Sequence, residues 1–298
     1  MSGGLGHILG VHAVCVALVL ADFVTRTWRT QLFLGGLGRQ LPFRTVLVQS
    51  FMGEAAASLT PLRLGAEPAR VWAMRQEGIP RPAGIVCVGL EFVAMMSMIV
   101  LMAIGLGLTL APDWWATVGP ELMRSVVRSG PWLGVVVGIS VVAWLLTRRL
   151  APHATDALAD ELAAARGHVR DVPVRVYVLS VPLTVLNTAA RVAILPVLAL
   201  TLDQPPPLAA TIVGSFALLY SQAILPTPAG AGAVELTFLG GAAGNLGAAE
   251  TSLLLAWRCY TTLAGVVLGL ALALWRYGWA IVPGARRGRA AAEGAGVE

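Results

Sequence analysis

Hydrophobic positions along this chain come in blocks rather than in alternation. Residues 7–25, 83–112, 131–147, 176–202 and 251–275 are apolar throughout, with at most two charges in each. About 20 apolar residues cross the hydrocarbon core of a bilayer as a helix, and these runs reach or approach that length. Strands of a membrane barrel would alternate apolar and polar side chains, which these runs do not. Helices are then the only spanning form that satisfies the backbone. The pattern predicts an all-α polytopic bundle with five full crossings.

Two further segments break the pattern. Residues 45–77 begin apolar, break at Thr60-Pro61 and return through charged positions; residues 208–246 break at Pro226-Thr227-Pro228. Proline removes a helix donor and glycine loosens the backbone, so each segment is expected to bend back within the membrane as a re-entrant hairpin. In one, Gly65 and then Glu67 follow Thr60-Pro61; in the other, Gly232 and then Glu235 follow Thr227-Pro228. Like segments entering from opposite faces are the mark of an inverted repeat, whose shared interface holds a transporter's binding site. The chain is thus expected to form one transmembrane domain over residues 1–282. A short disordered cytoplasmic tail would follow at 283–298.

Composition sharpens this picture. Of 298 residues 57% are hydrophobic and 12% charged, and mean hydropathy is +0.76. A soluble domain carries roughly 25% charged residues, so no sizeable water-soluble domain fits. All 21 basic residues are arginine. Most flank the runs so as to share one side, with Arg26, Arg29, Arg39 and Arg44 read as following the first span. Only Arg124 and Arg128 fall in the opposite loop, beside Trp114, Trp115 and Trp132. The positive-inside rule then puts the N-terminus outside and the C-terminus in the cytoplasm of a cell (inner or plasma) membrane. The first run lacks a basic leader and a clean cleavage site and is read as a retained helix. The +5 net charge and pI near 9.7 require no nucleic acid, because arginines on that face meet anionic lipid. Residues 155–170 read as an amphipathic helix lying on the membrane.

Soluble chemistry is missing from the pattern. There is no phosphate loop, serine elbow or zinc-protease motif, and His7, His12, His153 and His168 lack metal-ligand spacing. Cys15, Cys87 and Cys259 sit in apolar runs as packing residues. No metal or other cofactor is expected. Met95, Met96, Met98 and Met102 read as packing, and Gly134/Gly138 and Gly265/Gly269 as close helix contacts within the bundle.

The stretch ALLYSQAILPTPAGAGAVELTFL resembles the P-T-P-G-G-x-G-x-x-E signature of the lysylphosphatidylglycerol synthase transmembrane region, also called the flippase-like domain family. SLTPLRLGAEPARVW is similar to its N-x-x-P-x-R-x-G-E segment, and Arg258 matches its late intramembrane arginine. Ala229 and Ala231 depart from the signature, Ala66 separates Gly65 from Glu67, and the N-terminus is one helix shorter than in many members. The resemblance implies a bacterial lipid-handling membrane protein.

The residues that would do the handling are charges in apolar surroundings. Glu54, Glu91, Arg191, Glu235 and Arg258 lie inside membrane segments. Each costs about 2.5–3.5 kcal/mol on insertion scales, so they should face inward and pair. Substrate binding is expected at Arg63, Glu67, Arg191, Pro228, Gly230, Gly232, Glu235 and Arg258, with Glu54 and Glu91 as candidates for ion coupling. Glu235 and Arg258 should reach similar depth and touch. The function expected is a lipid translocator rather than an enzyme. It would move an anionic or aminoacylated phospholipid, or a polyprenyl- or hopanoid-type lipid. A lipid-synthesis enzyme is a possible partner, and the oligomeric state stays open. The alternatives are an intramembrane lipid-modifying transferase, against which the short tail after Trp279 argues, and a non-catalytic scaffold.

Overall fold

The structure is a computed structural model that describes residues 2–110, 172–223, 225, 227–239 and 249–278, with isolated positions between 120 and 170. The expected span at 131–147, the loop tryptophans Trp114, Trp115 and Trp132, the amphipathic helix at 155–170 and the tail fall wholly or almost wholly outside them. All regular structure among the described residues is helical.

Helix α1 (Ser2–Gly36) corrects the first expected span, which it overruns by three turns. It continues through a polar stretch because that stretch is satisfied inside the helix. The hydroxyls of Thr25 and Thr27 donate to the carbonyls of Ala21 and Phe23, both at 2.7 Å. Asp22 and Arg26 form an i,i+4 pair at 3.2 Å. Arg26 and Arg29 therefore lie on a buried helix face and not in a loop.

α2 (Phe43–Leu59) runs through the middle of the bundle and buries Gln49, Ser50 and Glu54 along with its apolar residues. Against it packs α10 (Ala264–Tyr277). Gly265 and Gly269 permit this approach: a Cβ on Gly269 would strike the Phe51 carbonyl oxygen, and one on Gly265 would sit 2.8 Å from Glu54 Cγ. The expected close contact of that glycine pair is thus within this bundle.

Helix α2 ends where the sequence breaks. Thr60 is extended (φ −113°, ψ 143°), Pro61 opens a 3₁₀ turn, and Leu62 and Arg63 are left-handed at φ 54° and 58°. The Thr60 hydroxyl donates to the Ala56 carbonyl at 2.7 Å and accepts the Gly65 amide at 2.8 Å, stitching the broken ends. α3 (Ala66–Gln76) then returns along α2. α7 (Leu208–Ser221) leads to the second break, where Thr227 has φ −104° and ψ 150°, and Ala229 and Gly230 have φ 50° and 68°. α8 (Ala233–Thr237) follows. The two 3₁₀ turns pack against each other.

The remaining helices are α4 (Arg81–Thr109), α5 (Val174–Val192), α6 (Ile194–Ala199) and α9 (Glu250–Arg258). A π-helical segment, Cys259–Leu263, joins α9 to α10. Among the described residues four continuous stretches are long and apolar enough to cross a membrane: α1, α4, α5 with α6, and α9 through α10. They coincide with four of the five expected runs. Large apolar side chains face outward along them, Leu108 at 80% and Trp275 at 78% exposure. The chain is a multi-pass membrane protein, and lipid is the solvent for those faces.

Candidate functional site

Two helices and one broken turn bring their arginines to a single carboxylate on a third helix. Glu54, 3% exposed, accepts hydrogen bonds from Arg26 Nη1 at 2.8 Å, Arg63 Nη2 at 2.8 Å and Arg191 Nη2 at 2.6 Å. Arg26 comes from α1, Arg191 from the last turn of α5, and Arg63 from the left-handed position of the first break. An L-residue in that conformation costs roughly 1–2 kcal/mol, so the ion pair holds a strained backbone in place. Arg26 also reaches both oxygens of Asp22 at 3.2 Å. Asp22 in turn accepts a short hydrogen bond from Asn187 Nδ2. Three guanidiniums thus face two carboxylates, a surplus of one positive charge.

The π-helical segment completes this centre. Its wider turn frees carbonyls from the helix ladder, and Thr261 O accepts Arg191 Nη2 at 3.0 Å. A cavity of about 10 Å³, the size of a single water, lies beside it, lined by Asp22, Glu54, Arg191, Tyr260 and Thr261 among others. His12 Nδ1 and the Tyr260 hydroxyl are 2.9 Å apart at one edge.

A second centre lies nearby. Glu91, 2% exposed, accepts a short hydrogen bond from Arg70 Nη2 and another from the Thr30 hydroxyl at 2.5 Å. Arg70 Nη2 also donates to Thr30 Oγ1 at 2.9 Å. Arg29 approaches Glu91 only to 3.8 Å and donates instead to Thr184 Oγ1 at 3.3 Å. Gly53 leaves room for the Arg70 stem, which a Cβ there would meet at 2.7 Å.

The third lies at the other break. Arg258 Nε donates to Glu235 Oε1 at 2.7 Å and Arg258 Nη1 to the Ala229 carbonyl at 3.0 Å. Arg258 Nη2 comes within 2.5 Å of the same carboxylate oxygen but lacks hydrogen-bond alignment. The other Glu235 oxygen accepts the Gly232 amide at 2.6 Å, across a glycine held at φ 86°. The contact expected between Glu235 and Arg258 is present.

The candidate residues therefore divide. Arg63 and Arg191 share Glu54, and Glu91 stands in the second centre. Glu67 lies on α3 with a buried oxygen that has no hydrogen-bond partner. Pro228, Gly230 and Gly232 shape the break around Glu235 and Arg258. Asp22, Arg26, Arg29, Thr30, Arg70 and Asn187 are partners that sequence reasoning missed. The i,i+4 spacing of Asp22 and Arg26 was the one signal available.

Comparison with known families gives one match. A family described as the lysylphosphatidylglycerol synthase TM region covers residues 7–269, nearly all of the chain. No curated protein matches it.

Proposed function

We propose that this chain, which belongs to the lysylphosphatidylglycerol synthase TM region family, is a lipid translocator that moves a phosphate-bearing lipid across the membrane. The convergence of Arg26, Arg63 and Arg191 on Glu54 carries the reading. A buried ion cluster is an expensive way to hold helices together, since well-packed apolar residues commonly serve as well or better. Its retention makes sense if the guanidiniums have a second partner. A phosphodiester is that partner: it offers the oxygens a carboxylate offers, and arginine binds both through the same planar fork. On this reading Glu54 holds the arginines in place between transport events and yields them to the headgroup.

The two proline breaks are the moving parts. Their backbones match from the extended threonine through two left-handed residues before they part at Leu64 and Ala231, and the two turns touch. We take them as re-entrant hairpins related by an inverted repeat, opening alternately to the outside and to the cytoplasm. The lipid is a phosphate-bearing member of the anionic, aminoacylated or polyprenyl types named above, with tails left in the bilayer. The chain would act without a catalytic step of its own, supplied by or supplying a lipid-synthesis enzyme. The N-terminus would face outside and the C-terminus the cytoplasm.

Reconstitution into vesicles with fluorescent-tailed lipids of several headgroups tests this. At least one headgroup should cross faster than in protein-free vesicles, and Arg191→Gln should abolish the gain. If none crosses faster, the translocator reading fails.

A further inference from the structure

The second charged centre has guanidinium donors that no hydrogen bond takes up. Arg29 Nε and Arg70 Nε are buried without hydrogen-bond partners, on side chains of residues 3% and 8% exposed. Both guanidiniums face Glu91, which Arg29 does not reach within hydrogen-bond distance. Among the described residues Glu91 is the one carboxylate within ion-pair distance of either guanidinium. Two arginines therefore share a single close anion. A static brace would leave buried charged donors idle at considerable cost.

The position of this centre matters as much as its charge. α1 and the α9–α10 stretch run parallel, since His12 meets Tyr260 near one end and Phe23 approaches Gly265 further on. Along that direction the charges come in order. Arg258 precedes Gly265, which abuts Glu54, by seven residues, a rise of less than about 10 Å because the stretch between them is partly π-helical. Arg29 then follows Arg26 by three residues, a further rise of about 4.5 Å. Arginines therefore recur along this direction within steps short enough for one phosphate to pass between centres.

We propose that Arg29 and Arg70 form a second phosphodiester-binding station, distinct from that at Glu54, which receives the headgroup as Glu91 gives way. This rests on the translocator reading and adds an intermediate resting place to it. Each exchange swaps one anion for another against the same arginines, so no guanidinium is left bare in the bilayer during the crossing.

The probe is dihexanoyl-phosphatidylglycerol, titrated calorimetrically against the detergent-solubilised full chain, with vesicle transport of fluorescent-tailed phosphatidylglycerol measured beside it. Wild type should bind two equivalents. Arg29→Gln should bind one, with its remaining affinity unchanged, and transport should fall about tenfold or more, the loss of one charged hydrogen bond. Arg29→Lys preserves the charge and guards against misfolding. It loses the fork and should weaken only the second equivalent. One equivalent in wild type, or two in Arg29→Gln with transport intact, overturns the second station and leaves the translocator reading standing. If wild type neither binds the probe nor moves the tailed lipid, the translocator reading falls and takes the second station with it.

Discussion

The two proline breaks open on the same left-handed turn and differ in what they hold. After Thr60-Pro61 and after Thr227-Pro228 the chain takes two consecutive left-handed residues. In the first break the second of these is Arg63, which reaches into a carboxylate 3% exposed and already gripped by two other arginines. In the second it is Gly230, and the arginine comes from another helix to a Glu235 side chain 34% exposed. Bracing differs too, because Gly265 and Gly269 seat α10 directly on α2. The same turn geometry therefore serves as a locked element on one side and a lightly held one on the other. Backbone shape sets where a break can bend, and the charges around it set how readily it does.

Five variants bear on that contrast. Glu54→Gln leaves three buried guanidiniums without their shared partner and should cost about 3–5 kcal/mol. Glu235→Gln should cost no more than about 1 kcal/mol, since its pair is part-exposed. Thermal unfolding in detergent compares them directly, and equal losses would break the distinction. Gly269→Val drives a side chain into the Phe51 carbonyl and should cost about 1–3 kcal/mol by the same measurement. A neutral result would mean α10 does not brace the first break. The swap Glu235→Arg with Arg258→Glu should return stability to within about 1 kcal/mol of wild type while transport stays lost. Recovery of transport as well would remove Arg258 from headgroup contact. The smallest effect is a gain: Ala229→Gly relaxes a left-handed alanine and should add up to about 1 kcal/mol. A loss would show that Ala229 makes a contact worth more than its strain.

Much of this was legible in the sequence, and the reasons are local. Apolar length announced four of the helices, and proline placed both breaks, because each effect acts within a few residues of its cause. Glu54, Glu91, Glu235, Arg191 and Arg258 stood out because a charge in an apolar run must be compensated. The partners were harder to see. Arg26 and Arg29 looked like flanking charges, since the apolar run fades near Thr25 while the helix continues to Gly36 on hydroxyls bonded to its own carbonyls. Arg70 sits in a segment of ordinary polarity, and only the packing of α3 against α2 and α4 carries it to Glu91. Which carboxylate an arginine finds is decided by tertiary contact, and no periodicity encodes it.

The π-helical segment Cys259–Leu263 has a consequence for how this protein tolerates change in length. A regular α-helix turns about 100° per residue, and a π turn winds in one residue more than the α-helical count. Arg258, before it, faces the second break; Gly265 and Gly269, after it, face α2. Removing one residue between 259 and 263 would let the helix close up as plain α with its second half in the same phase, so Gly265 and Gly269 would still face α2. Removing Ala264 from the regular helix beyond it would instead turn both glycines about 100° away and bring bulkier neighbours in their place. A single codon lost inside the π segment should therefore be borne more easily than one lost just after it, and what it sacrifices is the carbonyl freed for Arg191.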